Sequence, residues 1–576
     1  MAKRTRATHH VNCLCVVSFF LASAVAADCP PRFLNLDFEV ASHPVYWYYI
    51  HSTVQKRIDS EVAHSGRRSL RIERAGESEE TRLYSGAWQG LELPSARGGL
   101  VRLGGWVRTS GTRKGLAHLF VSPGPTGAPS VSEPVSDENA WTFRSVSLDF
   151  PPGSRWVYIG ASLEEEGVAW FDSLSVTLDG AEFPQSSQPP ALSDKQIGLL
   201  QASASPFQTT DPSAPAHDLE GFAKMVGDAR ILALGEASHG THEFFEMKHR
   251  LIRFLVESRG FRIFVLEFPV VMAQKINRYI SGGEGAPREL LGSPPMVFST
   301  KEMLALVRWM RAFNQKHKED PIQFWGFQPY QSEEAMRELS AYVAGLEAGP
   351  YRADLEELLS VIQRSFSASF PDAIPRSAPP TLSVRDACAT IRDRISTVQG
   401  LEGRDERVRA ALMIGIVQHS LRHKEPNAFE ESSAANVASI AEAYPDARLI
   451  VWAHNGHIGD RSGALGGYLT DRFGHDYVKA FFTYFDGKVT LGGRAMESDP
   501  AAPGTLEWTL HRVGVPRMFL DLRACLQTAL GDWLSCPIPA RMMSAEKQPS
   551  GFFFTSMRAW DLLVFVDQAS QSLPLE

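Results

Sequence analysis

Residues 230–245 read RILALGEASHGTHEFF, and the order of residue types in this stretch decides the fold. Arg230–Leu234 is a short apolar run, and Glu236 stands at its exit. Ala237–Gly240 make a loop of small residues around His239, and Thr241 occupies the place of a helix N-cap. Glu243 in the first turn suits the positive end of the helix dipole. Phe244, Met247, Leu251, Phe254 and Leu255 recur at spacings of three and four, the stripe of a helix buried on one face. Gly260 stops that helix, and FRIFVLE returns as a second strand ending in Glu267. Strand, helix and strand in this order form a βαβ unit.

Both strands of the unit release a carboxylate. In open α/β sheets ligands bind in the crevice beyond the carboxyl ends of the strands, so Glu236, His239 and Glu267 are expected to converge there. A third apolar run, RLIVWA, ends in His454-Asn455-Gly456-His457 and brings two more histidines to the same edge. A single glutamate at a strand end reads as the first solvated residue, and a single histidine as a packing residue. Five titratable groups delivered by three strands read as a site.

The remainder of 196–576 follows the same plan. IQFWGFQ, RMFLDLR and DLLVFVDQ are nearly continuous apolar runs, interleaved with helical periods at 243–259, 300–317, 333–347 and 406–423. Strands buried on both faces and alternating with helices predict an α/β fold, a mostly parallel sheet covered by helices. The segment before it has a different period. From 28 to 180, short stretches such as SLRIERA, TFRSVSLDF and AWFDSLSVTL alternate apolar with polar between Gly, Pro, Ser and Asp, which predicts an all-β jelly-roll sandwich. NLDFE, HSGRRSLRI and VAWFDSLSVT resemble the galactose-binding-like modules, a resemblance that implies carbohydrate as a partner. Trp47, Tyr48, Trp106, Trp141 and Trp156 could stack on sugar rings or fill the core. EFPQSSQPPALSDKQ, residues 181–195, has a linker composition.

Lys3, Arg4 and Arg6, then an apolar stretch from Val11 to Val25 ending in Ala-Val-Ala, have the order of a secretory signal over residues 1–26. A periplasmic or secreted mature chain is expected, with no membrane span. Removing those three basic residues takes the formal charge from −8 to −11. An acidic chain with no basic stripe excludes nucleic acid as a partner to expect. Cys29, Cys388, Cys525 and Cys536 remain after cleavage; Cys525 and Cys536 could pair across a short loop or stay as buried thiols.

Two competing motifs fail on spacing. HEFFE, from His242 to Glu246, has Glu where a zinc-protease helix needs its second His. EASHG lacks the first glycine of a nucleophile elbow, so Ser238 is not expected to act as a nucleophile.

LALGEASHGTHEFFEMKHRLIRFLVESRGF, FVLE, LVRWMRAFN and LIVWAHNGHIGD together resemble the erythromycin esterase family across residues 195–576. The resemblance implies a hydrolase acting on an ester or lactone, macrolides in the antibiotic-inactivating members, with Glu236, His239, Glu267, His454 and His457 as catalytic positions. Lys248 falls where resistance members carry Arg, Phe429-Glu430 where Arg-Asp is common, and GFQPYQ where Gly-Phe-Asp is usual; these departures bear on the substrate more than on hydrolysis.

The residue types imply general-base hydrolysis with His239 as base, Glu236 or Glu267 holding its tautomer, and His454, His457 or Lys248 donating to the oxyanion. Lys248 and Asn455 are expected to touch substrate, and no cofactor is required. A divalent metal held by Glu236, His239, Glu267 and His454 or His457 is the alternative use of the same atoms. The non-enzymatic alternative is a carbohydrate-binding protein whose sandwich is the working part.

Overall fold

The structure is a computed structural model. It describes residues 29–575 apart from 42–43, 50–53, 76–85, 94–97, 112–116, 125–128, 136–138, 165, 293–296, 370–386, 392–402, 492 and 544–551. The expected signal segment, 1–26, lies outside the described residues.

The N-terminal part folds as two facing antiparallel sheets. One has the spatial order Tyr48–Tyr49, Gly86–Glu92, Trp156–Leu163, Ala117–Ser122, Ser130–Val131; the other runs Val54–Asp59, Ser69–Arg74, Gly167–Leu178, Gly99–Ser110, Thr142–Phe150. Alternation explains the pairing of faces. Val101, Leu103 and Val107 of one sheet pack against Leu119, Val121, Ile159 and Ala161 of the other, all fully buried. The expected linker is shorter than its composition suggested. Ala181–Glu182 pairs back onto Gly167–Leu178, Phe183 enters the sandwich core, and a helix begins at Asp194 with Ser193 and Gln196 forming a capping box.

The larger part is built on one sheet with the order Ser205–Pro206, Arg517–Asp521, Leu562–Ala569, Tyr477–Leu491, Ile231–Leu234, Arg448–Trp452, Phe261–Pro269, Gln323–Gln328. The six strands from Leu562–Ala569 to Gln323–Gln328 are parallel, and Arg517–Asp521 joins antiparallel at one side. Continuous apolar runs arise because both faces are covered. Ile231 and Ala233 pack into the core on one side, Leu232 and Leu234 into the core on the other. Among the described residues no helix is long and apolar enough to cross a membrane.

Cys536 neither pairs with Cys525 nor stays a thiol, the two alternatives that the sequence left open. Cys29 is bonded to Cys536, with Cα atoms 5.6 Å apart, and ties the start of the sandwich to the α/β part. Cys525, on the short helix Leu522–Cys525, is a buried thiol outside the disulfide and packed into the α/β core; Cys388 is buried in the same core and is also outside the disulfide.

Candidate active site

The strands that deliver the candidate residues are neighbours. Arg448–Trp452 lies between Ile231–Leu234 and Phe261–Pro269, in register at Leu234↔Trp452 and Leu266↔Trp452. Parallel pairing therefore brings Glu236, Glu267 and His454 out at one height. Glu267 does not end its strand as expected; it sits in an irregularity of the ladder with Gln323–Gln328 between Leu266 and Pro269, just past the last pair with Arg448–Trp452. The turn after Ile231–Leu234 is packed too closely for side chains at two of its points. A Cβ on Gly235 would stand 2.0 Å from Asn455 Oδ1, and one on Gly240 would stand 1.7 Å from Thr490 O. Thr241 does stand at the N-cap of His242–Arg259, but its hydroxyl meets Ser238 Oγ at 2.6 Å instead of capping the backbone. That contact also occupies the fully buried Ser238.

Glu236 is wholly buried and fully engaged. His239 Nδ1 lies 2.6 Å from its Oε1; Lys248 Nζ donates to Oε2 at 2.6 Å and Trp452 Nε1 at 2.8 Å. Burial alone would raise the carboxyl, but Lys248 and then His239 outweigh it and hold it down at about 2. An ionised carboxylate only accepts, so His239 Nδ1 is the donor. Burial pulls the His239 imidazole down, yet Glu267 and Glu236 carry it above its ordinary 6.5.

Glu267 takes the backbone N–H of His454 at 2.7 Å and faces His457 Nε2 at 3.2 Å. Burial opposes its ionisation, and the charges of His457 and His239 hold it well below the usual carboxylate range. His457 is clamped on its other side, Nδ1 to Glu430 Oε1 at 2.6 Å. Burial disfavours its charge, but Glu430 and Glu267 together raise it well above 6.5, so it is an imidazolium donating from both nitrogens.

His454 is the opposite case. Burial lowers its pKa to about 3, with His239 the next cause, so the ring is neutral. Its Nδ1 accepts the N–H of Gly456 at 3.0 Å, which leaves the proton on Nε2. That buried Nε2 has no hydrogen-bond partner among the described residues. The His239 and His454 ring centroids are 5.0 Å apart, and Phe298 stands edge-on to His239 at 6.1 Å.

Five expected residues thus meet: Glu236, His239, Glu267, His454 and His457. Two expected substrate contacts do not. Lys248 is 0 % exposed beneath Glu236, its ammonium 4.3 Å from the centre of the Trp452 ring, so it neutralises the carboxylate and cannot reach the crevice. Asn455 is also 0 % exposed; its amide donates to Phe482 O at 2.9 Å and accepts from Phe482 N, holding Tyr477–Leu491, the strand on the far side of Ile231–Leu234. Sequence reasoning missed Glu430 and Trp452. Glu430 was visible only as a departure from Arg-Asp, and Trp452 only as an apolar strand residue.

The metal alternative does not fit this arrangement. The Glu236 oxygens are taken by three donors, one of them an ammonium whose charge would repel a divalent ion, and the His454 Nδ1 lone pair is taken by Gly456. No cluster of three or more His, Cys, Asp or Glu with metal-binding geometry occurs among the described residues.

A family model described as erythromycin esterase matches residues 256–569, more than half of the chain and inclusive of Glu267, Glu430, His454 and His457. The chain belongs to the erythromycin esterase family. Among curated relatives, erythromycin esterase type II of Escherichia coli is 35% identical over 114 residues, 20% of this chain and 27% of that enzyme, so the match spans about a quarter of the relative's length. The YbfO protein of Bacillus subtilis (strain 168), named provisionally as a hydrolase, is 23% identical over 393 residues, 59% of this chain and 84% of that one. A Bacillus cereus protein of solved structure superposes with a TM-score of 0.55 at 24% identity, covering 67% of this chain and all of its own. A succinoglycan biosynthesis protein gives 0.54 at 24% identity over 67% and 99% of the two chains. These two share the α/β fold of the larger part of this chain.

Proposed function

We propose that this member hydrolyses a carboxylic ester or lactone by general-base activation of water, with no covalent intermediate. One observation carries the reading: two imidazoles of opposite readiness lie side by side, His239 tethered through Nδ1 to a carboxylate and His454 neutral with a buried, unpartnered Nε2–H. His239 Nε2, unprotonated in the active form, takes a proton from water as the oxygen attacks the acyl carbon. Negative charge grows on the carbonyl oxygen, where His454 Nε2–H can donate. Glu236 and Glu267 stabilise the imidazolium formed on His239, which returns the proton to the leaving alkoxide as the carbon–oxygen bond breaks. Acid and alcohol are the products. His457, already charged and held on both sides, orients Glu267 and transfers no proton.

The substrate class rests on the family and on the E. coli relative's name; a macrolide lactone and a glycan-linked ester are the two candidates. The sandwich supports a saccharide partner through its half-buried aromatics, Tyr48, Trp106, Trp141 and Trp156. The residue order of 1–26 and the Cys29–Cys536 bond support a periplasmic or secreted site of action, where disulfides persist. The test is incubation of the protein with macrolides, acylated sugars and aryl esters, with products identified by mass, in water carrying heavy oxygen. Label in the acid product together with loss of turnover in His239→Ala is the expected result. A folded His239→Ala variant that keeps a tenth or more of the activity ends the assignment. Full activity after dialysis against a chelator is expected as well, because the cluster does not fit a metal ion.

A further inference from the structure

One cavity among the described residues is lined by no member of the histidine cluster. It has a volume of about 950 Å³ and opens where the sandwich meets the α/β part. That size is within the range of ligand pockets, which favour domain interfaces. Its sandwich wall is the outer face of Gly86–Glu92 and Trp156–Leu163. Cross-strand register sets Trp88 opposite Gly160, Gly90 opposite Tyr158 and Glu92 opposite Trp156. Glycine facing an aromatic lets the ring lie down across the sheet; a Cβ on Gly90 would stand 3.1 Å from Tyr158 Cε1. Trp88 and Tyr158 are thereby buried as a floor, and half-buried Tyr48 and Trp156 lie over it. Phe553 and Trp533 come from the α/β side, with Tyr48 and Phe553 ring centroids 5.0 Å apart.

Polar groups of both signs complete the lining: Arg32, Arg461, Glu92 and Asp532, with Gln196 among the neutral ones. A ligand that is a single ion would oppose half of them. A neutral ring with apolar faces and a hydroxylated rim suits all of them, the faces on the aromatics and the hydroxyls on the charged groups. We infer that this interdomain cavity is the saccharide site of the protein, taking a neutral hexopyranoside. The inference rests on the proposal that the sandwich has a saccharide partner, and locates that partner. It also connects the sugar to the chemistry, because Arg461 donates to the carbonyl of Gly456, whose N–H holds His454.

A second aromatic surface makes the location testable. His64 and Trp106 stack with centroids 4.1 Å apart on the other sheet, beside Trp141 and Phe143, the last 47 % exposed. The full chain is titrated with methyl hexopyranosides and β-1,4-linked trisaccharides, followed by calorimetry and tryptophan fluorescence. Saturable binding is expected, weakened by about tenfold or more in Trp156→Ala and in Trp533→Ala, which alter opposite walls, and unchanged in Phe143→Ala. Thermal melts identify any variant that has lost its fold, and the second wall then decides. Binding that survives both wall variants but falls in Phe143→Ala overturns the location and leaves the saccharide partner standing. Absence of binding by every sugar overturns both, while the hydrolysis assay judges the esterase reading independently.

Discussion

The amide of Gly456 donates to Nδ1 of His454 at 3.0 Å, and this one bond fixes the only proton of a neutral imidazole on Nε2. A buried N–H without a partner costs roughly 1–3 kcal/mol. The arrangement is intelligible where a developing oxyanion will use the donor.

If that is its role, His454→Ala lowers kcat by about a hundred- to a thousandfold with little change in KM, the signature of an interaction made in the transition state. His454→Gln restores part of the loss if its amide reaches the same place. Steady-state kinetics on an aryl ester distinguish the cases; equal loss in KM and kcat would assign His454 to substrate binding.

The pH profile should report His239. Its conjugate acid is held above the ordinary 6.5 by Glu267 and Glu236 acting against burial, and only the unprotonated ring is a base. Activity is therefore lost as pH falls through a pKa above 6.5. Glu267→Gln removes the largest raising charge and should move that acidic limb of kcat/KM downward. A limb that stays in place would mean that another group titrates.

How far the sequence spoke differs between fold and site. The apolar runs at 231–234, 261–266 and 448–452 revealed the sheet because strands buried on both faces carry few polar residues, here only Arg262 and Arg448 at or near the strand starts, and parallel pairing then forced Glu236, Glu267 and His454 to one edge. What a polar residue points at was hidden. Lys248 and Glu430 both sit in amphipathic helices where a charge ordinarily faces water, yet both turn inward to partners that strand order alone supplies, Glu236 and His457. The Cys29–Cys536 bond spans 507 residues of sequence, and no spacing signal joins cysteines so far apart, so the short loop and two buried thiols stood equally open for Cys525 and Cys536.

Lys248 offers a test of burial against chemistry. Its ammonium is the counter-charge to Glu236, and the two are fully buried. Lys248→Met leaves that carboxylate uncompensated and should destabilise the fold by roughly 3–5 kcal/mol. Double substitution of Lys248→Met with Glu236→Gln should recover much of the stability and none of the activity. Denaturant midpoints and rates measured on the same samples decide it; a single variant as stable as wild type would show that the pair does not hold the turn.

Residues 570–575 lie past the end of the family match and strap the turn that carries His239. The Ser572 N–H donates to Gly240 O at 2.9 Å, Thr490 Oγ1 donates to Ser572 O, and Leu573 N–H meets Glu302 at 3.0 Å. On the far side Leu575 N–H donates to Ser299 O at 2.9 Å, next to the Phe298 ring that flanks His239. The strap thus joins both walls around His239. Ser572→Pro deletes one of the two backbone donors to Gly240 O, leaving the Thr490 N–H, and should lower kcat by about ten- to a hundredfold, the cost of misplacing a catalytic group by an ångström. Ser572→Ala keeps the amide and should remain near wild type. The two variants compared by kcat, KM and melting temperature separate positioning from stability: a Pro variant that melts early but turns over normally at low temperature would reduce the strap to a structural brace.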